Sequence, residues 1–516
     1  MLKRVLGVLL LAPALAIAQN LVLGTKLELN TLDPHFFAAF PTGSSHEYLY
    51  DKLVVYDDKL GIKPALAVSW KLVDNLTWEF KLRKGVTFHD GQPFTADDVI
   101  ATIDRVPNVP NSPNSFAQFT RAVEKATKTD DLTLVVRTKA PNPQMLQDFA
   151  NVYIVSAKSA KSATTADFNA GKAAVGTGPY QLVEWTNGER LVVERNEKYW
   201  GPRPHWAKVT ERVIARDPTR LAALLSGEVD AIDAVPIADL ERLRKESRFA
   251  LFKGAAALVH YVALDSARDE SPFVTAKDGK PIRNPLRDAR VRKALSLAIN
   301  REAICKRIME GSAVPAGQLL ATEFPTSNKS LKPDPFDPAR AQALLKEAGV
   351  ADGFRLVLHA TGDRYPNDSA IAQAIAQMWT RIGLKVEVEA LPGAVFFTRG
   401  SKQDFSAFAA QYGAEDSMNS LRALVATADP ARGYGTANRT RYTNVIVDNL
   451  LTDALTTMDD ERRQQLLDRA IAFAMGDQPV IPVFHPIFDF ASKKGLAVTP
   501  RAQRRFNAMM IAPAKP

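Results

Sequence analysis

The chain has 516 residues, 46% of them hydrophobic and 24% charged, with a single cysteine. That length allows roughly three domain-sized units with large apolar cores, and one cysteine excludes a scaffold held by internal disulfides. The formal charge of +9 comes from scattered basic residues and not from a run, which argues for a solvated basic surface and against a nucleic-acid partner.

Lys3 and Arg4 precede an apolar run from Val5 to Ile17, and Ala16-Ile17-Ala18 offers a small–x–small cleavage site. This is signal-peptide architecture, because a bilayer span needs roughly 20 apolar residues. Residues 1–18 are expected to be removed, leaving Gln19 first. Cys305 lies far from this signal, so no lipid anchor is expected at the mature N-terminus. The expected product is periplasmic and released.

Leu21 to Leu23 forms a first strand, and Thr25 to Pro34 is the loop after it. His46 to Leu53 is expected to be helical. Trp78, Phe80 and Leu82 alternate with Thr77, Glu79 and Lys81, which predicts a strand with one buried face. Thr95 and Asp98 stand at capping-box spacing and open a helix carrying Val99, Ile103 and Val106. Leu132 to Val136, Leu191 to Glu194 and Val209 to Ala215 read as strands. A helix from Thr219 to Leu225 is closed by Gly227. Val259 to Leu264 reads as a fully buried strand, and a polar insertion from Asp265 to Pro285 follows it. Val291, Ala294, Leu295, Ala298 and Ile299 make a helical stripe. Asn300 caps the next helix. Asp337-Pro338 starts another, which Gly349 stops.

From Phe354 to Asp416 the pattern is strand, helix, strand, helix, strand. Arg355 to His359 is the first strand. Ile371, Ala374, Ile375 and Met378 mark a helix stopped by Gly383. Val386 and Val388 lie on the second strand, and Phe405 to Tyr412 is the third. That order predicts a parallel sheet with right-handed crossovers, whose ligands sit beyond the carboxyl ends of strands. Arg364 follows the first strand, while Glu415 and Asp416 follow the third. Taken alone these are loop charges of ordinary kind; taken together they suit a small ligand bearing both signs of charge. Leu466, Leu467, Ala470, Ile471 and Ala474 then form a helix ended by Gly476 and Pro479, and Val480 to Phe484 is a last strand.

The segment from Pro64-Ala-Leu-Ala-Val-Ser-Trp70 through Trp78-Glu-Phe-Lys-Leu-Arg-Lys-Gly-Val-Thr-Phe-His-Asp-Gly-Gln-Pro-Phe-Thr-Ala-Asp-Asp-Val99 resembles the signature of extracellular solute-binding family 5. These are the peptide- and nickel-type binding proteins of ATP-binding-cassette importers. Gly176-Thr-Gly-Pro-Tyr180, Asn196-Glu-Lys-Tyr-Trp-Gly201, Leu224-Leu-Ser-Gly-Glu-Val-Asp230 and Val291 to Glu302 match further blocks. The resemblance implies an α/β, two-lobed periplasmic binding protein fold of type II-like form, with two hinge-crossing strands and an extra subdomain in the first lobe. Mapped here, lobe I is residues 19–264 plus 488–516, with the subdomain at about 46–175. Lobe II is 265–487, and the crossings fall near Leu264 and Phe484.

The resemblance also implies a ligand grip. Dipeptide-type members hold the ligand carboxylate with an arginine in an Arg-Pro-Tyr-Asn-Pro-Asn-like loop, and the ammonium with an aspartate in a Gly-Trp-x-x-Asp-like loop. Arg364-Tyr-Pro-Asn-Asp368 resembles the first loop and Gln411-Tyr-Gly-Ala-Glu415 the second. Tyr412 replaces the tryptophan and Glu415 the aspartate, with Asp416 as a substitute acid. A guanidinium fork suits a carboxylate, and removing such a partner costs on the order of 2–5 kcal/mol. Backbone from Thr25 to Thr31, including Leu27 and Thr31, would contribute from the other lobe.

The seven histidines show no zinc spacing, no phosphate or dinucleotide loop occurs, and Cys305 has the register of a core residue. Neither a metal nor a cofactor is expected, and no nucleophile, base and oxyanion donors assemble. The expectation is therefore a monomeric, non-enzymatic receptor for a short peptide-like solute, serving a membrane permease. A different solute (chelated nickel or another metal, an opine, a sugar-like compound) is the alternative, and an exported hydrolase is the third.

Overall fold

The computed structural model describes residues 20–38 and 44–515, so the expected signal segment, 1–18, lies outside the described residues. One strand, Val480–Lys493, ties the rest together. Its first part pairs antiparallel with Leu258–Leu264, placing Phe484 opposite His260 and Val480 opposite Ala263. Its last part pairs antiparallel with Phe249–Ala255, placing Ile487 opposite Ala255 and Lys493 opposite Phe249. The chain thus changes neighbours at Ala256–Ala257 on one pass and at Pro486–Ile487 on the other. Through this strand a 13-stranded sheet runs across both halves of the molecule. Every residue of Leu258–Leu264 is buried, as a strand covered on both faces requires.

In the first half, Asn20–Thr25 lies parallel to Lys208–Val213 on one side and to Ala231–Ile232 on the other. The helix Asp217–Ser226 follows Lys208–Val213 and ends at Gly227, whose φ of 85° is the left-handed cap conformation that suits glycine. Arg190–Arg195 and Tyr180–Thr186 extend this sheet antiparallel.

A four-stranded antiparallel sheet is inserted here, in the order Ala67–Asp74, Thr77–Leu82, Thr133–Thr138, Val123–Asp130. Trp78, Phe80 and Leu82 are buried, as their alternation with polar neighbours predicts. Asp98 accepts the Thr95 N–H at 2.8 Å and also the Ala157 N–H at 2.7 Å, so this helix start ties two segments together.

The expected helix from His46 to Leu53 is shorter in the structure, covering His46–Leu49 alone. Tyr50 turns extended, and the Leu53 carbonyl accepts N–H groups from Ala65 and Ala67. Backbone pairing there overrides the local apolar pattern. The Gly176-Thr-Gly178 turn packs on the same corner. A Cβ on Gly178 would lie 2.5 Å from the Leu49 carbonyl carbon and the Tyr48 carbonyl oxygen. The glycines are needed for close backbone approach.

In the second half, Arg355–Thr361 is parallel to Lys385–Leu391 and also to Ala407–Gly413, with Leu358 opposite Ala407. This is the parallel arrangement that the alternating pattern implies. The helix Asp368–Arg381 buries Ile371, Ile375 and Trp379, and the Trp379 indole donates to the Leu295 carbonyl at 2.9 Å. Asn300 and Asp337 cap their helices as expected, accepting from Ala303 and Arg340. The helix Asp460–Asp477 ends at Gln478, with φ of 52°, and not at Gly476. The final strand also runs on to Lys493, well past Phe484.

Candidate functional site

A cavity of about 310 Å³ lies between a first part of the structure, residues 20–255 with 487–515, and a second, residues 258–486. That places it at the lower end of the roughly 300–1,000 Å³ typical of small-molecule sites. Phe37, Tyr56, Phe116 and Phe119 line it from the first half, and Tyr412 and Ala414 from the second. Each wall also brings charge: Arg121, Asp148 and Arg505 from the first half, Glu415 and Arg422 from the second.

Both acids are partly buried. Glu415 follows the strand Ala407–Gly413, and its Oε1 accepts from Gln503 Nε2 at 3.3 Å. Burial raises its carboxyl above the ordinary range, while the nearby Arg505 and the Gln503 amide oppose the shift. Burial pushes Asp148 up to about 7, against the amide of Asn142 at 3.1 Å and the field of Arg422 and Arg121. Such desolvated carboxylates gain when an ammonium arrives to share their charge.

The arginines differ in how they are engaged. Arg505 pairs with Glu47, and its guanidinium also donates to the Tyr153 hydroxyl at 3.2 Å; Arg501 and Lys52 share Glu47. Arg422 donates to the Asn419 side-chain oxygen at 2.7 Å. The Arg121 guanidinium packs toward Gly433, within 3.5 Å of where a Cβ there would sit. Neither Arg121 nor Arg422 forms an ion pair among the described residues.

The expected grip is only partly gathered by this cavity. Tyr412 and Glu415 line it. Arg364 does not: its loop is exposed, its backbone N–H bonds the Asp368 carboxylate at 3.2 Å, and its charge acts on Tyr365 and on Arg504. Arg504, in the C-terminal segment of the first half, lines a separate niche beside Leu27 and not this cavity. Asp416 is a helix cap. Its carboxylate accepts the Asn419 backbone N–H at 2.7 Å, the Asn419 amide at 2.6 Å and the Gln144 amide at 3.3 Å. The Thr31 hydroxyl donates to Asn169 at 2.8 Å, and its carbonyl oxygen lies 2.9 Å from His46 Nε2. Those atoms serve the first half internally. Leu27 is 44% exposed and lines a separate niche of about 20 Å³ beside Arg504.

Arg121, Asp148 and Arg422 are absent from the sequence-based expectation. Arg422 follows Asp416 in the helix Ser417–Leu424, a position that a loop-based search passes over. Phe116 and Phe119 bound a short turn of helix that follows a stretch rich in proline and asparagine, residues 107–115. Among the described residues, no group of three or more His, Cys, Asp or Glu side chains could hold a metal ion. No described helix is long and apolar enough to cross a membrane.

Residues 61–431 match the family model for bacterial extracellular solute-binding proteins, family 5 middle region. The glutathione-binding protein GsiB of Pectobacterium atrosepticum is 29% identical over 90% of this chain and 88% of its own. Heme-binding protein A of Haemophilus influenzae is 27% identical over 86% of this chain and 83% of its own. Among solved structures, the periplasmic binding protein DppA of Helicobacter pylori in complex with the peptide STSA shares the fold. Its TM-score is 0.74 at 24% identity, covering 96% of this chain and 98% of that one. The chain belongs to the bacterial extracellular solute-binding proteins of family 5, two-lobed solute-binding components of ATP-binding-cassette importers and not enzymes.

Proposed function

We propose that this protein binds a short peptide-like solute in the cavity between its halves and delivers it to a permease. The supporting observation is that each wall of the cavity carries charges of both signs. Glu415 and Asp148 would take the ammonium of the solute, and Arg422 with Arg121 a carboxylate. The aromatic side chains Phe37, Phe119 and Tyr412 would cover its apolar parts. A ligand charge enters a closed site at tolerable cost only when paired, and these groups supply pairs of both signs. Arg364, on its exposed loop, would draw carboxylates in.

Under this reading the halves 20–255 plus 487–515 and 258–486 act as two lobes, pivoting where the chain changes neighbours at Ala256–Ala257 and Pro486–Ile487. Lobe closure would bury the solute, and the closed shape is what the permease would read. The N-terminal pattern supports a cleaved signal and a free periplasmic protein. The related GsiB proteins are named for glutathione, itself a peptide, which favours peptides over the nickel complex or heme named for other relatives. Thermal-shift measurement with short peptides, then with heme and a nickel–histidine complex, tests the assignment. A peptide is expected to raise the melting temperature in a concentration-dependent way. Stabilisation by the other compounds alone would refute it.

A further inference from the structure

Two hydrogen bonds cross between the halves at consecutive acids. Gln503 Nε2 donates to Glu415 Oε1 and Gln144 Nε2 to Asp416 Oδ1, each at 3.3 Å. Both donors stand on the first half and both acceptors on the second. The partners are 88 and 272 residues apart in sequence, so only the approach of the halves brings them together. Gln144, Gln503 and Asp416 are buried, which keeps water from taking the place of either partner while the halves are joined. Neither glutamine lines the cavity.

Three of the four ends are fixed by elements that also supply the cavity wall, and the fourth, Glu415, is itself in the wall. Asp416 caps the helix Ser417–Leu424, which carries Asn419 and Arg422 into the wall. Gln144 precedes the short helix Met145–Phe149. Its N–H donates to the Asn142 side-chain oxygen at 3.1 Å, and its carbonyl accepts the N–H of Asp148, a wall residue, at 2.8 Å. Gln503 lies between Arg501 and Arg505, both paired with Glu47, and Arg505 is again in the wall. A separation of 3.3 Å is long for a hydrogen bond, so one alone holds weakly. Two at neighbouring positions break together when the halves part.

Resting on the reading that the halves close over a solute, we infer that Gln144 and Gln503 are positioning residues for its retention. Acting through Asp416 and Glu415, they favour the shut cleft over the open one and set how long the solute stays. They act on the opening of the cleft, and the cavity wall keeps the choice of solute.

The test is stopped-flow kinetics of the full mature protein with the dipeptide Ala-Ala, for the wild type and for Gln144→Met and Gln503→Met, which keep the side-chain length and lose the donor. Dissociation is expected to quicken about fivefold in each and about 25-fold in the double variant, the scale of one ordinary hydrogen bond apiece. The preference for Ala-Ala over its N-acetylated form is expected to stay unchanged, which a distorted wall would not allow. Unchanged dissociation in both variants would overturn the inference and leave the peptide reading standing. Either variant decides the point should the other fail to fold. Failure of Ala-Ala to bind counts against the peptide reading, and small-angle scattering of the ligand-free protein then decides the latch. A larger radius of gyration in either variant supports it, and equal radii overturn it.

Discussion

Gln503 donates to Glu415 at 3.3 Å, joining the C-terminal segment of one half to the strand-end loop of the other. The carboxylate is partly buried, lines the cavity and forms no ion pair among the described residues. Glu415→Gln keeps the shape and removes the charge. It is expected to weaken peptides with a free amino terminus by about 2 kcal/mol, and to narrow their advantage over N-acetylated peptides. Calorimetry with both forms of one peptide measures this.

Arg364 is exposed, so its expected contribution is smaller than that of a sealed ion pair. Rim charges act mainly on association rate. Arg364→Ala is expected to slow association with an anionic peptide and flatten its salt dependence, at about 0.5–1 kcal/mol in affinity. Stopped-flow measurement at two salt concentrations checks both effects.

Asp148 makes the cleft pH-dependent. Its carboxyl ionises near pH 7 in the folded chain and at an ordinary low value, 3.8, when unfolded. The folded state therefore holds the extra proton between those values. The stability this group contributes is complete below about pH 4 and is lost as pH rises toward 7. Asp148→Asn is expected to flatten the melting-temperature profile over pH 4–7, and thermal unfolding across that range measures it.

Asp416→Ala removes the cap of the helix Ser417–Leu424 together with the Gln144 contact between the halves. A loss of about 1–2 kcal/mol in stability is expected, read from the denaturant midpoint at unchanged slope.

Gly178→Ala forces a Cβ onto the Leu49 backbone at 2.5 Å. It is expected to cost about 1–3 kcal/mol, again by chemical denaturation, although the residue does not line the cavity.

Much of the architecture was legible from local pattern. Gly227, Asn300 and Asp337 mark real helix boundaries, and the alternation around Phe80 marks a real strand. Periodicity of two or of 3.6 residues survives folding because the buried face is fixed by the same side chains. The parallel pairing of Leu358 with Ala407 followed from element order alone. Other features depended on partners distant in sequence. His46 to Leu53 has helical composition, yet pairing with Ala65 and Ala67 straightens its second part. The neighbour change at Ala256–Ala257 is invisible in a continuous apolar run. Of the cavity lining, Tyr412 and Glu415 were legible because one ends a strand and the other stands just past it. Arg121 and Arg422 were not, since only the fold brings these distant positions to one cavity. Asp416, a tempting loop acid, proves to be a cap once Asn419 is seen beneath it.

The central claim is that the cavity between the halves receives a peptide-like solute by pairing both of its charges. Mass spectrometry of the small molecule released on denaturing protein purified from its native periplasm tests this most directly. The account predicts a short peptide with a free amino group and a carboxylate. Release of heme, a nickel chelate or a sugar in stoichiometric amount would contradict it.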